Sequence, residues 1–220
     1  TTCQVTSNTQ ITCVTIAGKG KDLKWAVTVG GQTSTAAYVG TTRYTSPAIS
    51  TLAVVGGGTM VTDGTSKVDI GGTNFGPACS DGCVTATYGG SDGAEYPASD
   101  TITCNVLTDT TLRCNTAAGV GVNHGWVITV AAQSSVKSTA VISYTKPAIT
   151  GIAGGISPTA GGHTMTLTGT NFGPAGHSEV SATYGPGDVY TATTCQVTSD
   201  TKITCVTVAG KGKDLKWAVT

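Results

Sequence analysis

The sequence predicts an all-β protein, and three observations carry that expectation: side-chain composition, internal repetition and cysteine spacing. Of 220 residues, 23 are Val, 11 Ile and 43 Thr, against six Leu and two Met. β-branched side chains are stiff at χ1 and suit a pleated surface, while good helix formers are scarce, which disfavours helical bundles and alternating α/β folds. Leu, Ile, Val and Phe make only 42 residues, but so low an apolar content signals disorder only with high net charge, and here 12 Lys and Arg balance 12 Asp and Glu. The same balance removes the electrostatic footprint of a nucleic-acid partner or an anionic membrane surface. No apolar run approaches the roughly 20 residues that span a bilayer, so no membrane insertion is expected in this segment. The chain opens at Thr1-Thr2-Cys3 with no initiator Met and no signal-like start, and reads as an internal stretch of a longer secreted polypeptide.

The opening 28 residues return as residues 193–220, with differences only at Asn8/Asp200, Gln10/Lys202 and Ile16/Val208. A weaker third copy occupies residues 101–129. The first cysteines of the copies are Cys3, Cys104 and Cys195, the tryptophans Trp25, Trp126 and Trp217; both series step by 101 and then 91 residues. Two unlike units therefore form a super-repeat of 192 residues, and the chain is one super-repeat plus a 28-residue overlap.

A second motif marks the other half of each unit, residues 46–78 and 146–175, each running from a proline to Asn-Phe-Gly-Pro-Ala. Alternation along residues 164–168 and 126–130 reads as half-buried strands, and TDG, SDG, GPG and GG are turn signals between them. Several short strands per unit favour a β-sandwich. Ser46-Pro47 and Lys146-Pro147 are the natural boundaries, because proline holds the residue before it extended.

The order of these pieces carries a resemblance. Pro-x-Ile is followed by a Gly-rich turn, a Thr-rich strand ending Gly72-Thr73-Asn74-Phe75-Gly76 or Gly169-Thr170-Asn171-Phe172-Gly173, a Cys-x9-Cys pair, and a strand into Tyr-Thr-x-Pro. The chain resembles the IPT/TIG family of immunoglobulin-like domains over essentially its whole length. The resemblance implies tandem β-sandwiches: residues 1–46 the C-terminal part of one domain, 47–146 a complete domain, and 147–220 the N-terminal part of a third. The last copy lacks the counterpart of residues 29–46, which implies an exposed sheet edge and an open core.

Eight cysteines pair by spacing as Cys3/Cys13, Cys104/Cys114, Cys195/Cys205 and Cys79/Cys83. In the first three, nine residues separate the thiols, with Asn8, Asp109 or Asp200 at the midpoint. A hairpin turning there sets the two cysteines opposite each other on antiparallel strands, within bridging reach. Zinc would call for CxxC pairs, and none occurs. Disulfides imply an oxidising, extracellular compartment. Cys79 and Cys83 close a tight ring with no counterpart in residues 176–179, so that bridge is an addition to the unit.

Catalytic signatures are missing: there is no HExxH, GxSxG, phosphate-cradling loop or paired-carboxylate cluster, so no enzyme, cofactor or metal site is expected. His124, His163 and His177 fall at unrelated phases of the repeat and read as solvated loop residues. The basic loop Gly18-Lys19-Gly20-Lys21-Asp22-Leu23-Lys24, repeated at 210–216, reads as a solvated loop rather than a glycan site. Asp63, Asp81, Asp92 and Asp100 read as turn residues rather than calcium ligands. The tryptophans and Phe75 and Phe172 recur in phase and read as core.

No Asn-x-Ser/Thr sequon exists. The hydroxyl clusters Thr33-Ser34-Thr35, Thr41-Thr42 and Thr191 with Thr193 and Thr194 read either as plain strand propensity or as sites of O-linked sugar, which would solubilise a surface with 11% charged residues. Pro47 and Pro158, each after a serine, join them if the source hydroxylates proline. Near-identical modules at a fixed period suggest an array built for length. The expected role is a secreted structural subunit of an extracellular filament or surface appendage, its partners being further copies of itself, head to tail or laterally, and attached glycans. The alternative is an adhesin or receptor ectodomain whose loops bind a glycan or protein. In either case covalent continuity between units is preferred to completion by a strand of a neighbouring chain.

Overall fold

A computed structural model describes residues 2–34, 40–90, 95–96, 102–177 and 179–220, and among these it is strand, turn and one short 3-10 helix. At the N-terminus β1 (Thr2–Ser7) and β2 (Gln10–Val14) form an antiparallel hairpin with Cys3 directly opposite Cys13. A second hairpin, β3 (Thr28–Val29) with β4 (Gln32–Thr33), turns at Gly30 and Gly31, whose φ of 58° and 82° suit glycine.

The middle of the chain builds a sandwich from β5 (Ala48–Val54), β6 (Lys67–Thr73), β7 (Cys79–Gly89), β8 (Glu95–Tyr96), β9 (Ile102–Thr108), β10 (Thr111–Asn115), β11 (Gly125–Val130) and β12 (Gln133–Ser134). One layer runs β5-β6-β10-β9 and the other β8-β7-β11-β12, joined where β7 pairs with β9. Alternation sets the inward face: Val68 and Ile70, Ile102, Cys104 and Val106, Leu112 and Cys114, and Trp126, Ile128 and Val130 are all buried. Met60 and Phe75 are fully buried in the same core. Each such side chain removed from water contributes about 1.5–3 kcal/mol before the cost of ordering it.

The third group repeats the plan with β13 (Ala148–Ala153), β14 (Thr164–Thr170), β15 (Ala182–Tyr184), β16 (Tyr190–Thr191), β17 (Thr193–Ser199), β18 (Lys202–Val206) and β19 (Trp217–Val219). Its layers are β13-β14-β18-β17 and β16-β15-β19. Leu167, Phe172, Tyr184, Val197, Ile203 and Cys205 form its core. The same hairpin sequence meets two environments in one molecule. Val197 is 1% exposed and Ile203 0%, whereas their counterparts Val5 and Ile11 are 61% and 36% exposed, because among the described residues no second layer covers β1 and β2.

Two sequence expectations are corrected. His124 is not a solvated loop residue: it is fully buried, pairs through its backbone with Ile142, and stands edge-on to Tyr88, Tyr96 and Tyr144. The core reading of the tryptophans holds fully for Trp126, but Trp25 is 36% exposed, again for lack of an opposing layer.

Candidate functional site

Beyond its two hydrophobic cores, the chain builds two junctions, around Pro47 and Pro147. Each is organised by the Gly-Thr-Asn-Phe-Gly motif. A Cβ at Gly72 or Gly169 would sit 2.0 Å from the carbonyl oxygen of Ala48 or Ala148, so only glycine lets the first strand of each sandwich lie this close. Asn74 and Asn171 have left-handed φ of 63° and 60°. That turn aims their Nδ2 groups at the carbonyls of Ser46 and Lys146, both at 3.2 Å, which fixes the residue just before each proline. Phe75 and Phe172 enter the core, and the next amide, of Gly76 or Gly173, donates to Asp109 or Asp200 Oδ1 at 2.8 and 2.9 Å. The motif thus ties the linker, the core and the tip of the disulfide hairpin together.

Against this clamp each preceding unit presses one loop side chain. Lys19 lies over Gly76, with its Cβ 3.2 Å from where a Cβ of residue 76 would stand, and its Nζ reaches Cys79 Sγ at 3.6 Å. In the second junction Val120 takes the same place over Gly173, leaving no space for a larger residue. Thr62 Oγ1 donates to Asp200 Oδ1 at 2.5 Å across that junction. At the first, Gln133 Nε2 donates to the Tyr44 carbonyl at 3.0 Å and to Ser46 Oγ at 3.3 Å. A cleft of about 410 Å³ opens there, lined by Lys19, Tyr44, Pro47, Asn74, Gly76 and Asp109. The loop at 18–24 is therefore not simply solvated, because Lys19 is half-buried and Gly20 buried in the contact.

A tyrosine closes each of the first two units behind its junction. Tyr144 is buried, with its hydroxyl 2.6 Å from Tyr88 Oη and donating to the Ala117 carbonyl at 2.7 Å. Burial pushes the Tyr88 and Tyr144 hydroxyls above the ordinary tyrosine range. Tyr44 repeats the arrangement, donating to the Ile16 carbonyl at 2.6 Å. Gly18, Gly119 and Gly210 make room for these rings: a Cβ would lie 2.6 Å from Tyr44 Oη, 2.5 Å from Tyr96 Cε1 or 2.7 Å from Tyr190 Cε1.

The cysteines stand as Cys3–Cys13, Cys104–Cys114 and Cys195–Cys205, with Cα atoms 4.0, 4.1 and 4.1 Å apart, and Cys79–Cys83 at 6.3 Å. Along β7, Cys79 opposes Val106 but Val84 opposes Cys104, so residues 80–83 loop out and the last bridge closes the bulge. Thr33, Ser34, Thr41, Thr42, Thr191, Thr193, Thr194 and Pro158 are exposed. Pro47 is buried in the junction and offers no room for a sugar, and Thr35 lies outside the described residues. Asp63 acts as a turn residue, accepting from Thr65 N at 2.9 Å, and that hydrogen bond holds its carboxyl below the usual range. Among the described residues no three His, Cys, Asp or Glu side chains gather to hold a metal ion, and no helix is long and apolar enough to cross a membrane.

Sequence reasoning singled out the Asn-Phe-Gly motif and the lysine loop but not that they meet; the spacing of two motifs cannot report which faces of successive units touch.

Two-layer antiparallel packing with these motifs defines an all-β, immunoglobulin-like fold of the IPT/TIG type. Residues 147–220 match the family model of the IPT/TIG domain. Among solved structures, the chain is similar to two of the plexin A4 full extracellular region, at 18% identity. One is matched over 83% of this chain and 14% of that one with a TM-score of 0.35, the other over 79% and 16% with a TM-score of 0.33. It is also similar to SGBP-B from a complex xyloglucan utilization locus in Bacteroides uniformis, at 20% identity over 80% of this chain and 46% of that one, TM-score 0.30. The chain spans less than half the length of each. No curated protein sequence matches it.

Proposed function

We propose that this chain is a structural segment of a secreted, O-glycosylated extracellular filament or surface appendage, in which 192-residue, two-sandwich units follow one another. The observation that carries the reading is that both junctions in the chain are made by corresponding residues. Asn74 and Asn171 hold the linker carbonyls at the same distance, and Lys19 and Val120 cover the corresponding glycines. A joint made the same way twice, with a buried proline and no slack at the first, suits a stiff rod rather than a single positioned site. The four disulfides fit an oxidising, extracellular compartment. The role needs no catalysis.

Electron microscopy of the native extracellular material tests the proposal: long unbranched filaments are expected, and isolated particles or short membrane-attached stalks contradict it. The sugars are tested by intact mass. The native chain is expected to exceed 21.9 kDa by whole sugar increments removable from exposed Thr and Ser, and an unmodified mass refutes that part alone. A second reading, a binding ectodomain, draws on the 410 Å³ cleft with Lys19 at its wall; specific retention of the chain on a glycan array would favour it.

A further inference from the structure

The first junction carries a bridge that the second does not. Cys79–Cys83 closes the bulge at the start of β7, and the Lys19 ammonium of the preceding unit stands 3.6 Å from Cys79 Sγ. We propose that this bridge is a site of thiol–disulfide exchange for small thiols, with Cys83 the sulfur attacked and Cys79 the sulfur released beside Lys19. The proposal goes beyond the structural role and does not depend on it.

Three features single out this bridge. The first is access. Cys79 and Cys83 are both half-buried, whereas Cys104, Cys114 and Cys205 are fully buried, so a thiolate in solvent has an approach here that the core bridges deny it. The second is ring size. Cys79 and Cys83 are 4 positions apart in sequence, and the hairpin pairs 10. Cross-linking a shorter loop removes less entropy from the unfolded chain, so this bridge is stabilised least. The third is charge. Among the described residues Lys19 makes no ion pair, and its Nζ donates to Cys79 Sγ. An ammonium beside a sulfur favours the thiolate, and a more stable thiolate is a better leaving group.

The charge gives the two sulfurs different roles. A small thiolate attacks Cys83 Sγ; its lone pair forms the new S–S bond as the Cys79–Cys83 bond breaks, and the bonding pair leaves on Cys79. The products are a mixed disulfide on Cys83 and a Cys79 thiolate paired with Lys19. A second thiolate then attacks the small thiol's sulfur in the mixed disulfide, releasing Cys83 as a thiolate and the two small thiols as their own disulfide. Those two thiols supply the two electrons that reduce the bridge. The sandwich stays closed throughout, because Cys79 pairs with Val106 and Val84 with Cys104 on either side of the bulge, and Cys104–Cys114 is untouched. The second junction has neither part: Val120 stands in the place of Lys19, and residues 176–179 hold no cysteine.

The test incubates the folded chain with reduced glutathione at neutral pH, traps free thiols with iodoacetamide at intervals and maps both modifications by mass spectrometry. The comparison is with Cys104–Cys114 and Cys195–Cys205, since Cys3–Cys13 lies in the hairpin that no second layer covers among the described residues. The expected first product carries glutathione on Cys83 and the alkyl group on Cys79, before either comparison bridge reacts. Lys19→Met, which keeps an unbranched stem over Gly76, should slow the reaction about 3-fold or more, and Lys19→Arg should restore most of the rate. A merely structural role for Lys19 predicts the reverse, because a loosened junction would expose the bridge and speed its opening. Glutathione chiefly on Cys79, opening no earlier than the comparison bridges, or an undiminished rate in Lys19→Met overturns the proposal.

Discussion

The Tyr144 hydroxyl is buried between Tyr88 Oη and the Ala117 carbonyl, where it helps close the middle sandwich. Tyr144→Phe keeps the ring and leaves its partners short of one donor and acceptor. It should cost about 1–3 kcal/mol in thermal or denaturant unfolding, the usual penalty for an unmade buried hydrogen bond. The same pair gives an alkaline signature. Burial raises both hydroxyl pKa values above the unfolded value of about 10, so the stability they contribute is fully present below that pH and is lost as pH rises through the folded values. The midpoint of thermal unfolding should fall steeply above about pH 10, and Tyr144→Phe should flatten that fall. An unchanged slope in the variant would mean that other groups govern it. These roles are only partly legible in the sequence. Tyr-Thr-x-Pro is visible as a recurring strand end, but His124 reads as a loop residue because a lone histidine between Asn123 and Gly125 carries no periodic signal of burial.

At the scale of elements, the disulfide hairpins were the most readable feature: nine residues between cysteines with Asn or Asp at the centre set the register, and Cys104 indeed stands opposite Cys114 across β9 and β10. Replacing both with alanine should lower stability by about 2–3 kcal/mol through the longer freedom of the unfolded loop, plus the loss of two fully buried side chains. Chemical denaturation under non-reducing conditions measures it. The Cys79–Cys83 bridge closes only a bulge, so its removal should cost less and act mainly on the β7–β9 pairing. The strand assignments followed from alternation where one face is buried, as in β6, β10, β11 and β14. Alternation could not reveal that β7 pairs with both β9 and β11 and so joins the layers, or that three extra residues bulge between Cys79 and Val84.

For the whole molecule, the decisive surfaces are those between units, and these were the least legible in the sequence because they depend on which loops meet in space. The freedom of one unit relative to the next should respond to them. Gly173 has a φ of 89° and a Cβ there would strike Val120, so Gly173→Ala should loosen the second junction. Small-angle scattering is expected to show a broader range of maximum dimensions for this variant, while the unfolding of each sandwich changes by little more than the strain of one residue. An unchanged scattering profile would mean that the Asn171 clamp and the Thr62–Asp200 hydrogen bond alone hold the joint.

The claim that the chain is part of a continuous structural polymer is tested most directly by the axial repeat of the native extracellular material, measured from electron micrographs. Strand lengths give roughly 40 Å per sandwich, so the account predicts filaments with an axial repeat near or somewhat below about 80 Å for each two-sandwich unit. Filaments with no such repeat, or material made only of separate particles, would contradict it.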